Sequence, residues 1–134
     1  MSYENIMRLW NDCVDGGLVR PKLKITVKTT SYTIVSKDFG TIFTTRGGGA
    51  VTFTLPAASA ENRGEYVLFI NVANQNMTVA GSSGGLVVFN NAAATSIAFQ
   101  TGSEKIAGAF LALSDGTSWI VLPIATETQT VTVA

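Results

Sequence analysis

Histidine is missing from this chain of 134 residues, and with it go the commonest general base and the commonest transition-metal ligand. Cys13 is the single cysteine. It cannot close an internal disulfide, and Cys/His zinc sites are excluded by count, as are Ser/His and Cys/His nucleophile pairs. One cysteine also fits assembly in a reducing cytoplasm. Charged residues are few, at 13% against 46% apolar, which is little for the surface of a soluble monomer. Part of the apolar excess is therefore expected to lie against other chains. No apolar run approaches the ~18 residues of a membrane span, and the opening MSYENIMRLWNDC lacks the apolar core of a signal peptide. The expectation is a chain that neither spans a membrane nor is exported by that route.

What is present reads as one β-rich domain with an appendage. Its length suits a single modest core, and short alternating runs of Val, Ile, Phe and Thr separated by Gly, Asn and Asp favour two packed sheets over helices. The stretch from Tyr32 to Pro56 is the clearest. Tyr32 and Ile34 precede a Lys37-Asp38-Phe39-Gly40 turn, Ile42 and Phe43 precede Gly47-Gly48-Gly49, and Val51, Phe53 and Leu55 alternate with Thr52 and Thr54. Further strands are expected near 65–72, 76–79, 86–89, 95–99, 105–113 and 118–124. The breaks fall at Glu61-Asn62-Arg63-Gly64, Ala73 to Asn76, Gly81 to Gly85, Asn90-Asn91 and Ser114-Asp115-Gly116. Tyr66 to Ile70 and Ile106 to Leu113 are apolar at nearly every position, which predicts central strands or strands covered on the second face by another subunit. The tail alternates from Thr128 to Val133 and reads as an edge strand in need of a neighbour.

The front end differs from this body. Ser2 is suited to an N-cap, Ile6, Leu9, Trp10, Cys13 and Val14 recur at helical spacing, and Gly16-Gly17 supplies the stop. Such a helix is marginal alone and must pack on something, either its own sandwich or a partner. Then follow a connector, Leu18 to Pro21, and the alternating Lys22 to Lys28, whose lysines either guard a sheet edge or dock. Up to Lys37 the basic residues Arg8, Arg20, Lys22, Lys24, Lys28 and Lys37 outweigh Glu4, Asp12 and Asp15; beyond it the balance reverses. A basic front suits an acidic partner surface.

The candidate chemistry is thin. Gly47 to Gly49 and Gly81 to Gly85 open no helix and lack the Lys-Ser/Thr of a phosphate loop, so they read as bends. Asp38 and Asp115 stand beside glycine turns, where a carboxylate bonds its own backbone, and Glu61 and Glu65 flank another turn; Glu104 and Glu127 complete the body's carboxylates. Trp119 reads as core, whereas Trp10 either anchors an interface or closes the bottom of its own sandwich. Nucleic-acid binding is weakly supported because the basic residues lack an interleaved aromatic platform. Phe89 beside Asn90-Asn91 would suit a carbohydrate if exposed.

The order of these motifs resembles the small β-domains of tailed-bacteriophage virions, those of head decoration (cement) proteins, head fibres and tail fibres. The residues that carry the resemblance are the Tyr-Thr-Ile strand at 32, the Asp38-Phe39-Gly40 turn, the glycine bend at 47, the Val-Thr-Phe-Thr-Leu-Pro-Ala run at 51, and Ser114-Asp115-Gly116-Thr117-Ser118-Trp119. It spans roughly residues 30 to 123. The resemblance implies a virion structural protein and no enzyme. Together with the composition it predicts an all-β, antiparallel sandwich of jelly-roll type over residues 29–134, preceded by a helix and basic connector over residues 1–28. The expected function is a homotrimer that is made in the host cytoplasm, clamps the capsid exterior and binds the major capsid protein through Ile6, Leu9, Trp10, Arg20, Lys22 and Lys24. No cofactor, metal, nucleic acid or membrane enters this expectation. The alternative is a head-fibre or tail-fibre component that binds a host glycan. Compactness, and the lack of a coiled or repeated shaft, favour the decoration protein.

Overall fold

The computed structural model describes residues 22–47, 49–82, 84–99, 105–125 and 129–134. The predicted helix therefore lies outside the described residues, with Ile6, Leu9, Trp10 and Arg20. Within the described residues the chain forms β1 (Ile25–Lys28), β2 (Tyr32–Thr33), β3 (Ile42–Thr45), β4 (Val51–Thr54), β5 (Tyr66–Asn71), β6 (Met77–Ala80), β7 (Leu86–Val88), β8 (Asn91–Ala94), β9 (Ser96–Phe99), β10 (Ala109–Ser114), β11 (Trp119–Ile124) and β12 (Val131–Val133). They build a seven-stranded sheet in the order β1-β3-β5-β10-β11-β7-β8 and a five-stranded sheet in the order β12-β9-β6-β4-β2. The all-β, two-sheet reading holds. As expected of their unbroken apolar runs, β5 and β10 are neighbours at the middle of the larger sheet.

The antiparallel expectation is corrected. β1, β3 and β5 are parallel, as are β2, β4 and β6, and β7 runs parallel to β11. From β1 to β6 the chain crosses to the opposite sheet at every bend instead of folding back as a hairpin. Each strand thus returns to its own sheet in the direction of its predecessor, and the first half winds as a flattened coil. This replaces the Greek-key hairpins of a jelly roll. Only later do antiparallel pairs appear: β6 with β9, β9 with β12, β7 with β8, and β10 with both β5 and β11. The winding also draws β1 into the larger sheet as its edge strand, although the sequence pattern groups it with the front end. β12 remains an edge strand but has its neighbour within the chain, in β9.

The core lies between the sheets. Phe43, Phe69 and Phe110 stand side by side on β3, β5 and β10, and Phe53 of the opposite sheet meets Phe43 at 5.5 Å and Phe69 at 4.8 Å between ring centroids. Phe99 stacks on Phe110 at 4.5 Å. Each such ring contributes on the order of 1.5–3 kcal/mol by leaving water, against the entropy of ordering the strands. Trp119, predicted as core, is buried at the end of the sandwich, 5.8 Å from Phe39, with its indole Nε1 donating to the Pro56 carbonyl at 2.7 Å. A buried polar pair links the neighbouring strands β3 and β5. The Thr45 hydroxyl donates to Asn71 Oδ1 at 2.6 Å, and Asn71 Nδ2 donates to the Gln75 carbonyl at 2.8 Å. These bonds give a fully buried amide the partners it needs.

Candidate functional site

Of the residues assigned to capsid binding, Lys22 and Lys24 are described, and both are exposed on the approach to β1. Lys24 Nζ reaches the Lys37 carbonyl at 3.4 Å. Lys28 does not join them. Its ammonium lies 3.6 Å from the centroid of the Tyr32 ring, and that ring packs on Phe43 at 5.6 Å. Because β1 and β2 belong to different sheets, the short link between them brings lysine and tyrosine face to face. The charge is held by a cation–π contact rather than offered outward.

The turn carboxylates are engaged by their own loops. Asp38 is buried; its Oδ2 accepts from the Tyr32 hydroxyl at 2.8 Å and from the Val35 backbone N–H at 2.9 Å. The bond to Asp38 holds the Tyr32 phenol above its usual range, with burial and the carboxylate charge adding to it. Asp115 Oδ1 accepts from the backbone N–H groups of Thr117 and Ser118, both at 2.8 Å. Gly116 takes the left-handed conformation (φ 91°) that this tight turn requires. These bonds, the one from Ser118 foremost, lower the Asp115 pKa. A lowered folded-state pKa means the stabilisation is present above the unfolded value and is lost as pH falls through the folded one. Asp115→Ala is therefore expected to lower the urea midpoint at neutral pH, and the gap to the wild type should narrow below about pH 4. A gap that stays constant down to strongly acidic pH would remove the carboxylate from this account.

Asn62 organises the neighbouring turn in the same way. Its Oδ1 accepts from the Ser59 N–H at 2.9 Å and the Ser114 hydroxyl at 2.7 Å, and its Nδ2 donates to the Ala57 carbonyl at 2.9 Å. Glu61 lies beside it on a cavity of about 260 Å³, shared with Ser36, Phe39 and Pro56. Among the described residues, no three His, Cys, Asp or Glu side chains gather as a metal site would require.

Two surfaces remain. The first is the groove of about 480 Å³ lined by Phe89, Pro123, Ala125, Gln129, Thr130 and Val131. Phe89 and Asn90 form the turn between β7 and β8, both with positive φ (46° and 62°). Such turns favour asparagine and glycine, yet here a phenylalanine occupies the first position and is 62% exposed.

The second is the outer face of the seven-stranded sheet. Ile25, Ile42, Leu68, Leu111 and Leu122 stand in register as one row across five strands. On one side of it lies the row Val27, Thr44, Ile70, Ala109 and Ile124, and on the other Tyr66, Leu113, Ile120 and Val87. None of these positions is charged. The outer face of the smaller sheet is built differently, with rows Thr33, Thr54, Ala80, Ser96 and Thr52, Thr78, Ala98, Thr132. The unbroken apolar runs of β5 and β10 made both faces of these strands apolar in the sequence; that β1 extends the outer face with Ile25 and Val27 was hidden, because nothing local says which sheet β1 joins. Compared with known protein families and with curated proteins, the chain matches no family model and no curated protein.

Proposed function

We propose that this protein is a virion structural component, a capsid decoration protein that sits as a homotrimer on the exterior of a phage head and strengthens the lattice. The observation that carries this reading is the motif order from Tyr32 to Trp119, supported by what its turns do. Asp38, Asn62 and Asp115 are spent on holding loops in shape, so the sequence signals mark a rigid scaffold. Trimer formation is supported by the low charge and by the open sheet edges at β12 and β8. The mechanism is adhesive. The basic connector meets the coat, and three weak contacts held together dissociate more slowly than one.

Gold-labelled antibody against this chain on purified virions of the encoding phage tests it. Label over the head surface, together with a trimer by sedimentation, supports the reading; a stable monomer at micromolar concentration, or no label on heads, overturns it. Replacing Arg20, Lys22 and Lys24 with Gln should slow association with capsids lacking the protein and flatten its salt dependence, since exposed charges steer encounter. Unchanged association from low to moderate salt would move the contact to the sandwich loops.

The second reading, a fibre component that binds a host glycan, draws on the exposed Phe89 and its groove. It is favoured if the label sits on fibres rather than on the shell.

A further inference from the structure

Among the described residues, every strand but one supplies a side chain to the core or to its margin. β2 supplies Tyr32, β8 Ala94, β12 Val131 and Val133, and each of the others at least one buried residue. β1 supplies none. Leu23, Ile25 and Val27 are more than half exposed, and Lys24, Thr26 and Lys28, on the other side of the strand, are polar.

What holds β1 is therefore its edge. Among the described strands it is bonded to β3 alone, through a parallel ladder in which the carbonyls of Lys24 and Lys28 accept from the backbone N–H groups of Ile42 (2.9 Å) and Arg46 (3.2 Å). Parallel pairing is slightly less stable per residue than antiparallel. Two lysines add to it: Lys28 sits over the Tyr32 ring at 3.6 Å, and Lys24 Nζ reaches the exposed Lys37 carbonyl at 3.4 Å.

Release of β1 leaves the core enclosed. Phe43, which stands beside Thr26 in the ladder, is packed by the rings of Tyr32, Phe53 and Phe69 at 5.6, 5.5 and 6.0 Å, none of which belongs to β1. On its other side β3 stays paired with β5 along its full length, and Thr45 keeps its bond to Asn71. A hinge is present as well. Ser31 is fixed to the body, its Oγ accepting from the Thr52 N–H at 3.0 Å, whereas Thr29 and Thr30 before it are exposed. Segments with few buried apolar contacts are the ones that open locally.

We infer that β1 is a strap, a strand that lifts from β3 about Thr29 and Thr30 while the rest of the sandwich stays folded, with the Lys28 ammonium on Tyr32 as its latch. The lifted strap carries Lys22 and Lys24 away from the body and uncovers the β3 edge. The inference stands apart from the functional reading, since it holds whether or not those lysines meet a capsid.

Residue-resolved amide hydrogen exchange on the unaltered full-length protein tests it. The Ile42 and Arg46 N–H groups, bonded across to β1, report its opening; those of Leu68 and Asn71, bonded to the Thr41 and Gly108 carbonyls, report the body. Ile42 and Arg46 are expected to show protection factors at least about a hundredfold below those of Leu68 and Asn71, and to keep them in low urea. Comparable protection at the four positions, falling in parallel with urea, would mean that β1 opens only with the whole domain, which overturns the inference. Lys28→Gln tests the latch. It should speed exchange at Ile42 and Arg46 about two- to fivefold, the loss of one exposed cation–π contact, and leave Leu68 and Asn71 as they were. No change at any of them, or an equal change at all four, would strike Lys28 from the device.

Discussion

Trp119→Ala is expected to lower folding stability by about 3–5 kcal/mol, a large share of the roughly 5–15 kcal/mol that holds a domain together. The indole is 1% exposed and joins the start of β11 to two loops, to the turn before β3 by ring contact with Phe39 and to the loop after β4 by the bond from Nε1 to Pro56. Alanine leaves a cavity and an unsatisfied carbonyl together. Trp119→Phe separates the two effects, since it keeps most of the volume and loses the donor; its expected cost is about 1–3 kcal/mol. Urea unfolding of the pair measures both. Equal midpoints for the alanine variant and the wild type would mean that Trp119 does not tie the loop to the sandwich.

Gly108→Ala is expected to be nearly as damaging although it adds a single methyl group. A Cβ there would lie 2.6 Å from Phe99 Cζ and within 2.9 Å of two further ring carbons. Phe99 is fully buried and stacked on Phe110, so its ring has little room to retreat. The backbone is pinned as well, because the Asn71 N–H donates to the Gly108 carbonyl at 2.8 Å and the Ala107 N–H donates to the Asn71 carbonyl at 2.6 Å. Overpacking of this kind costs about 1–3 kcal/mol or more. The double variant Gly108→Ala/Phe99→Leu should recover part of the loss, because the shorter side chain makes space. Strictly additive effects in the cycle would show that the clash is relieved elsewhere.

Strand positions were legible in the sequence wherever one face differs from the other. Val51 to Thr54 alternates cleanly and is β4, with the apolar pair inward and the threonines outward. β8 was missed because Asn91-Ala92-Ala93-Ala94 has no alternation and begins inside an asparagine turn signal. The strand read at 105–113 starts later, at Ala109, since Ala107 adopts a positive φ of 69° and turns the chain first. Pairing direction was not legible. A glycine bend announces that the chain turns, not whether it returns to the same sheet or crosses to the other, and that choice decides between parallel and antiparallel neighbours. Lys28 shows the same limit at the candidate site: its partner Tyr32 is close in sequence, but only the crossing between sheets sets the ring beneath the ammonium.

The coiled winding of the first half sets an order of events during synthesis. β1 to β6 can lay down turn upon turn as the chain emerges, because each strand finds its partner one coil earlier. On their far sides β6 waits for β9, and β5 waits longest. It waits for β10, whose Ala109 pairs with Ile70 only after β6 to β9 have been made. At ribosomal speeds of about 5–20 residues per second, the exposed edge of Tyr66 to Asn71 stands open for a matter of seconds. That interval, rather than any weakness of the finished sandwich, is when nascent chains on one polysome are most able to pair with one another in the wrong partnership.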